Sequence, residues 1–256
     1  MFVKKNEPTA EEVETSLKYP GLQVQPGCGE RPSRLRQSIR KFLRAQFGRP
    51  MGFWGCVSGK VMAHTPSNRE RIHWVVSLLD IRPQDRVLEI GFGPGLAIEQ
   101  VSRIASSGFV AGFDHSEVML RQAAKRNAKA IRDGRVALEL VSVTNLPSFD
   151  EPFDKIFTIN SIHFWVNPVD CLKDLRKLLR PGGLIAVTLQ PRSRGATDAT
   201  ATEIGKEIAS NLELAGFLLV RLEVKESKPV SVACALGINP AHERSVESRE
   251  HSCSSA

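Results

Sequence analysis

The chain has 256 residues, 41% of them hydrophobic, and a formal net charge of +7, which suits one globular domain with appendages. No apolar run approaches the roughly 18 residues of a membrane span, and we expect no secretory signal at the N-terminus. The five cysteines are odd in number and scattered, so they predict no disulfide framework and no metal site, and favour a cytoplasmic location.

The positive charge is concentrated near the N-terminus. Residues 1–30 are polar with several prolines and glycines, and we expect them to be irregular. Residues 31–65 are interpreted as a basic helical extension and lid, with an amphipathic helix at 33–47. Residues 31–49 contain seven Lys and Arg and no acid, while the other 28 basic residues are balanced by 28 acidic ones. This segment predicts a helix with solvated arginines, or contact with an anionic membrane surface or RNA.

Helices and strands alternate from residue 66 onward, which predicts an α/β domain over residues 66–239 and a frayed tail at 240–256. The predicted strands are 86–90, 109–113, 136–143, 153–160, 183–189, 217–224 and 231–238. The predicted helices are 66–79, 95–105, 117–132, 168–179 and 198–214. The last two strands have too short a connection for a parallel crossover. We therefore expect a Rossmann-like, doubly wound sheet of seven strands with an antiparallel last strand.

A glycine-rich turn follows the first strand. Residues 86–95 read Arg-Val-Leu-Glu-Ile-Gly-Phe-Gly-Pro-Gly, and a helical pattern starts immediately afterwards. Such a turn lets a ligand approach the main-chain N–H groups, although an ordinary strand-to-helix turn also favours glycine. A dinucleotide fingerprint needs another glycine where Leu96 stands, and the Lys of a P-loop is absent. Glu89 would repel a pyrophosphate and suits a ligand with a positive group.

The second strand ends in Asp114, 23 residues after Gly91. A carboxylate at this place can accept both hydroxyls of a ribose. The alternative is a helix N-cap, because Ser116 and Glu117 introduce the next helix. Together with the glycine turn, Asp114 favours an adenosine that carries a cationic tail and no phosphate, which describes S-adenosylmethionine.

These motifs resemble those of the class I S-adenosylmethionine-dependent methyltransferases of the small-molecule type, over about residues 66–239. The resemblance is carried by Val87-Leu88-Glu89-Ile90-Gly91-Phe92-Gly93-Pro94-Gly95, Gly112-Phe113-Asp114-His115-Ser116, Asn145-Leu146-Pro147, Phe153-Asp154-Lys155-Ile156 and Leu178-Leu179-Arg180-Pro181-Gly182-Gly183. It implies that the chain binds S-adenosylmethionine and transfers its methyl group to an acceptor.

The resemblance also implies a set of cofactor-binding residues: Glu89, Gly91, Gly93, Gly95, Asp114, His115, Met119, Ser142, Val143, Thr144, Asn160 and Ser161. Glu89 and the glycine turn would face the methionine moiety, Asp114 the ribose, and Met119 the adenine. His115 would touch the cofactor or cap a helix. Residues 142–144 would flank the adenine edge, and residues 160–161 would border the methyl group. Many relatives have an acid near position 142, where this chain has a more weakly accepting serine.

The acceptor pocket is expected over the strand ends. The loop after the fifth strand is too short for a lid, so by elimination the cover comes from residues 48–74. We expect Phe53, Trp54, His64 and Phe164 to line the pocket, although Trp54 could equally well serve in packing. His163 follows the fourth strand and is the candidate general base. The alternative is a loop histidine bonded to the backbone, and His64 is a weaker candidate for the base.

Four functions remain open at this stage. The first is methyl transfer to a small-molecule acceptor, and the second is an RNA or protein methyltransferase that uses the basic helix. The third is a non-catalytic module that binds S-adenosylmethionine. The fourth, a nicotinamide oxidoreductase, is disfavoured by Leu96 and Glu89. The oligomeric state is left open.

Overall fold

The computed structural model describes residues 66–240, which contain seven strands and six α-helices. The helices are α1 Pro66–Leu78, α2 Leu96–Ile104, α3 Glu117–Arg126, α4 Ala128–Arg132, α5 Pro168–Leu178 and α6 Asp198–Leu214. The strands are β1 Arg86–Ile90, β2 Phe109–Asp114, β3 Val136–Leu140, β4 Phe153–Ile159, β5 Leu179–Leu189, β6 Leu218–Lys225 and β7 Val232–Ile238. None of these helices is long and apolar enough to cross a membrane.

The seven strands form one sheet in the order β3-β2-β1-β4-β5-β7-β6. Strands β1 to β5 are parallel, and β7 is antiparallel to both β5 and β6. The predicted doubly wound sheet with an antiparallel last strand is therefore confirmed. The strand order reverses between β1 and β4, and ligands of open α/β sheets bind beyond the carboxyl ends of the strands at such a point.

The core lies on both faces of the sheet. In β1, Val87 packs into the cluster beneath α1 and α2, while Leu88 packs into the cluster beneath α5 and α6. In β4, Phe157 packs into the first of these clusters and Ile156 into the second. A parallel strand that is buried on both faces reads as a continuous apolar run, which is why these strands were visible in the sequence.

Three predicted boundaries were wrong, and the structure shows what ends or extends each element. The predicted helix at 117–132 is broken at Asn127, whose side-chain amide donates to the carbonyls of Ala123 and Gly95. Strand β3 ends at Leu140 instead of residue 143, because the chain turns there. Strand β5 begins at Leu179 instead of residue 183, with an irregularity in its pairing with β4. The Asn239 side chain secures this irregular segment by donating to the Leu179 carbonyl at 2.8 Å.

Candidate functional site

The glycine turn at the end of β1 is held against β2. The Gly91 N–H donates to the Phe113 carbonyl at 2.7 Å, and Gly91, Gly93 and Gly95 all have positive φ angles of 76°, 50° and 77°. A Cβ at Gly91 would lie 2.6 Å from the Ser161 Cβ, so this glycine permits close packing between the turn and the segment after β4. L-residues rarely adopt these φ angles, which explains why glycine is needed.

The other two glycines differ in their surroundings. A Cβ at Gly95 would lie 2.7 Å from the Ala123 Cβ, so Gly95 allows the start of α2 to pack against α3. A Cβ at Gly93 would meet nothing within 4 Å. Of the three, Gly93 therefore leaves open space beside the backbone, where a ligand can approach.

Glu89 is buried at this turn, with only 2% of its surface exposed. Burial raises the pKa of its carboxyl well above the ordinary value, and the neighbouring Asp114 raises it further, while a hydrogen bond from the Ile98 N–H opposes both effects. Its Oε2 is buried and has no hydrogen-bond partner in residues 66–240. An unpaired buried carboxylate oxygen next to a second carboxylate is completed by a cation, because each alone is costly to bury.

Asp114 lies beside Glu89 and is 7% exposed. Its Oδ2 accepts from the Gly93 N–H at 2.8 Å and its Oδ1 from the Ser116 N–H at 2.9 Å. Burial raises the pKa of this carboxyl, and these N–H groups offset part of the rise. The N-cap of α3 is Ser116, whose hydroxyl accepts from the Met119 N–H, so the alternative role of Asp114 as the helix cap does not apply.

The remaining residues of the β2 and β3 ends surround Asp114. His115 is about two-fifths exposed, with Nδ1 3.9 Å from the Asp114 Oδ1, whereas Met119 is buried in the core. The Val141 N–H donates to the Asp114 carbonyl at 3.0 Å and so places the following loop alongside. In that loop the hydroxyls of Ser142 and Thr144 are 2.9 Å apart and exposed, and Val143 packs partly on the core.

Asn160 and Ser161 connect the end of β4 to its neighbours. The Asn160 Oδ1 accepts from the Gln190 N–H at 2.8 Å, and its own N–H donates to the Thr188 carbonyl, which links β4 to β5. The Ser161 hydroxyl forms a hydrogen bond with the Thr158 hydroxyl and donates to the Ile90 carbonyl at 3.2 Å, which links β4 to β1. Both residues therefore border the point where the strand order reverses.

His163 lies in a short 3₁₀ helix, Ile162–Phe164, with its ring 3.8 Å from that of Phe164 between centroids. Burial lowers the pKa of His163 to about 4, and the charge of Arg192 contributes to this shift. The imidazole is therefore neutral near pH 7. Its Nδ1 is buried and has no hydrogen-bond partner in the described part of the chain, so at this atom the histidine is not held by the backbone. Phe164 is 40% exposed at the same rim.

Sequence reasoning missed a group of residues on the β5 side. Arg71, on α1, is only 2% exposed and donates to the side chains of Gln190 and Asn68. The Gln190 amide in turn donates to the Val230 carbonyl at 2.7 Å. The signal was present, because Arg71 lies one helical turn before Val75 and so on the apolar face of α1.

Several residues predicted for the site belong to the part of the chain that the structure does not describe. Phe53, Trp54 and His64 lie outside the described residues, as does the basic segment 31–49. Within residues 66–240, the structure brings the ends of β1, β2, β4 and β5 together around the glycine turn, and no group of three or more His, Cys, Asp or Glu is arranged to hold a metal ion.

Comparison with known proteins agrees with this geometry. The family model described as a methyltransferase domain matches residues 87–183. An uncharacterized methyltransferase of Bacillus subtilis, YdaC, is 30% identical over 185 residues, which cover 72% of this chain and 99% of that protein. The 27-O-demethylrifamycin SV methyltransferase of Amycolatopsis mediterranei is 29% identical over 170 residues, which cover 64% of this chain and 60% of that protein.

Solved structures show the same fold. A SAM dependent methyltransferase from Aquifex aeolicus aligns with a TM-score of 0.58 at 21% identity, covering 72% of this chain and 98% of that one. The N-methyltransferase NodS of Bradyrhizobium japonicum, in complex with S-adenosyl-l-homocysteine, aligns with a TM-score of 0.54 at 18% identity, covering 70% and 90%.

Proposed function

Because the chain belongs to the class I S-adenosylmethionine-dependent methyltransferases, we propose that it transfers the methyl group of S-adenosylmethionine to a small-molecule acceptor by in-line displacement. The observation that carries the proposal is the unpaired, buried Glu89 Oε2 beside Asp114 and the open backbone of Gly93. The relative whose name gives 27-O-demethylrifamycin SV as what it methylates supports an acceptor of low mass.

The residues present fit S-adenosylmethionine, which when bound supplies an activated methyl group on a sulfonium. Glu89 accepts from the ammonium of the methionine moiety with its unpaired Oε2, because a cationic partner stabilises the carboxylate against the burial and the Asp114 charge that raise its pKa. Asp114 accepts from the ribose hydroxyls with the lone pairs that Gly93 and Ser116 leave unused. The exposed Ser142 hydroxyl accepts from the adenine edge.

Methyl transfer needs an aligned acceptor and exclusion of water more than a strong base. The neutral His163 holds the acceptor by accepting a hydrogen bond. Its pKa of about 4 makes it a weak base, so it takes the acceptor proton only after the attacking atom has gained positive charge and that proton has become acidic. Phe164 beside it, together with Phe53, Trp54 and His64, lines the pocket in this proposal.

The acceptor class is tested with the full chain and S-adenosylmethionine carrying a tritiated methyl group. The protein is incubated with a cell extract that is then separated into low-mass, RNA and protein fractions. We expect the label in the low-mass fraction, and no label with Glu89→Gln. Label in the RNA or protein fraction would establish the macromolecular alternative. Binding of S-adenosylmethionine without label in any fraction would establish a non-catalytic binding module.

The concentration of charge in residues 31–49 supports a second role for the extension, namely contact with an anionic membrane surface or RNA. Sedimentation with anionic vesicles at low and high salt tests the membrane role, which is excluded if no protein sediments at low salt. Salt-sensitive binding to RNA would instead favour an RNA methyltransferase.

We also propose a cytoplasmic location from the use of cysteine. Cys171 and Cys234 are both buried free thiols. Burial raises the pKa of Cys171 to about 11 and that of Cys234 to about 12, so both pack as thiols and neither is an activated nucleophile. Cell fractionation with an antibody against the chain tests this location.

A further inference from the structure

The side of the site where the proposed function places the acceptor, at the ends of β4 and β5, has two arginines that are not among the cofactor-binding residues. Arg71 rises from α1 and is almost fully buried, and Arg192 follows β5 two residues after Gln190. Two hydrogen bonds place the start of this segment between α1 and the residues after β4, because the Gln190 side chain accepts from Arg71 and the Gln190 N–H donates to the Asn160 Oδ1. The charge of Arg192, two residues further on, lowers the pKa of both Arg71 and His163. Arg71, Arg192 and His163 therefore form one cluster at the ends of β4 and β5.

The positive charge of this cluster is not compensated by any carboxylate of the described residues. In residues 66–240, no carboxylate forms an ion pair with Arg71 or Arg192. Arg71 instead donates to two neutral amide oxygens, those of Gln190 and Asn68, and its buried Nε has no partner. Burial lowers the pKa of Arg71 to about 10, which still leaves it charged near pH 7. A buried guanidinium without a counter-charge is costly and is stabilised by an anion.

The two arginines have different access to solvent. Arg71 is held rigidly beneath the surface by the link from α1 through Gln190 to the Val230 carbonyl. Arg192 lies in an exposed loop, and its guanidinium is only partly withdrawn from water. A ligand can thus contact Arg192 directly, while Arg71 supplies a fixed charge from below.

From this cluster we propose that the methyl acceptor carries a small anionic group, a carboxylate or a phosphate, which binds Arg192 above Arg71 and places the rest of the acceptor against His163. The inference rests on the proposed function and names the acceptor class for the same site. Arg192 forms charge-assisted hydrogen bonds to the anion, because the planar guanidinium can donate to two oxygens of a carboxylate or phosphate at once. The neutral His163 accepts a hydrogen bond from the atom to be methylated.

The test uses matched probes that differ in charge. Dissociation constants of benzoate, phenyl phosphate and the neutral benzamide are measured by ligand-observed NMR with the full chain, with and without S-adenosylhomocysteine. The measurements are repeated with Arg192→Gln and with the control Arg194→Gln, which removes an exposed arginine from the same loop. Thermal unfolding verifies that each variant is folded.

We expect at least one anion to bind about tenfold or more tightly than benzamide, because a charged hydrogen-bond pair in a partly buried site contributes this much. The ratio of the dissociation constants of benzamide and the anion should fall to near unity in Arg192→Gln and stay unchanged in Arg194→Gln. The tighter of the two anions identifies carboxylate or phosphate as the group recognised.

Equal binding of anions and benzamide, no binding of either anion, or an equal loss in the two variants would overturn the inference. S-adenosylmethionine is titrated into the same wild-type preparation by calorimetry. Cofactor binding without anion preference refutes only the acceptor class. No cofactor binding refutes the proposed function, whatever the anions do.

Discussion

Replacing Glu89 by glutamine should change ligand-free stability and cofactor affinity in opposite directions. The side chain is 2% exposed, its Oε2 has no partner in the described residues, and burial together with Asp114 raises its pKa. Glutamine keeps the shape and removes the charge. In the ligand-free protein this relieves both unfavourable effects, so we expect the variant to be at least as stable as the wild type near pH 7. With the cofactor, it removes the counter-charge for the ammonium.

The expected loss of affinity is large. A pair of unit charges about 4 Å apart is worth about 4 kcal/mol at the effective dielectric constant of a protein site. Removal of one partner of a buried charge pair costs about 2–5 kcal/mol. Since about 1.4 kcal/mol is a factor of ten, Glu89→Gln should weaken the binding of S-adenosylmethionine by about 30- to 4,000-fold.

Calorimetric titration and thermal unfolding measure the two effects, with Glu139→Gln as the control because it makes the same change at an exposed position in β3. The sign of the pH dependence adds a further test. A raised folded-state pKa means that ligand-free stability falls as the pH rises above the ordinary value of 4.5, because the unfolded carboxyl ionises freely. Glu89→Gln should flatten this fall. Wild-type affinity in Glu89→Gln would refute the pairing, and a marked loss of stability would refute the account of the unpaired carboxylate.

Four further predictions concern the glycine turn and His163. Gly95→Ala should lower the free energy of unfolding by about 2–4 kcal/mol in chemical denaturation, since its Cβ would clash with Ala123 at a positive φ. Gly93→Ala has room for its Cβ, so it should cost only the strain of an L-residue at a φ of 50°, about 1–2 kcal/mol, and stay folded. Calorimetry should show weakened cofactor binding in this variant, and unchanged binding would mean that no ligand approaches there. His163→Ala should lower turnover at least about tenfold with cofactor affinity retained, and unchanged turnover would remove its role in transfer. Because the pKa of His163 is lowered from 6.5 to about 4, its contribution to stability is present above pH 6.5 and is lost as the pH falls through 4. Chemical denaturation at a series of pH values should show this loss in the wild type and not in His163→Gln.

The sequence was informative where one physical cause dominates. Strands β1 and β4 are buried on both faces, so their apolar residues allowed both strands to be predicted from the sequence. The connection between β6 and β7 is too short for a parallel crossover, so only antiparallel pairing was possible. The position of Glu89 next to Asp114 followed from parallel strands that end at the same edge of the sheet. These features depend on local patterns and on topology.

Features that depend on tertiary contacts could not be predicted from the sequence. Asn127 interrupts a helical pattern because the Gly95 carbonyl, 32 residues away, is within reach of its amide. The sequence shows that His163 follows β4, but its lowered pKa depends on burial and on Arg192. The spacing of Arg71 places it on the apolar face of α1, but the Gln190 side chain that accepts its hydrogen bond lies 119 residues away and could not be predicted. In each case a side chain from a distant element determines the outcome.

The charges of the cleft divide along the line where the strand order reverses. The carboxylates Glu89 and Asp114 lie at the ends of β1 and β2, whereas Arg71 and Arg192 lie on the β5 side, with His163 between them. An acidic side attracts a cationic tail and a basic side attracts an anion, so each ligand is directed away from the other's position. Like-charge repulsion makes the reversed arrangement unfavourable at both ends. In the proposed complex, the acceptor atom lies between the two sides, beside an imidazole that stays neutral because burial and Arg192 disfavour its proton.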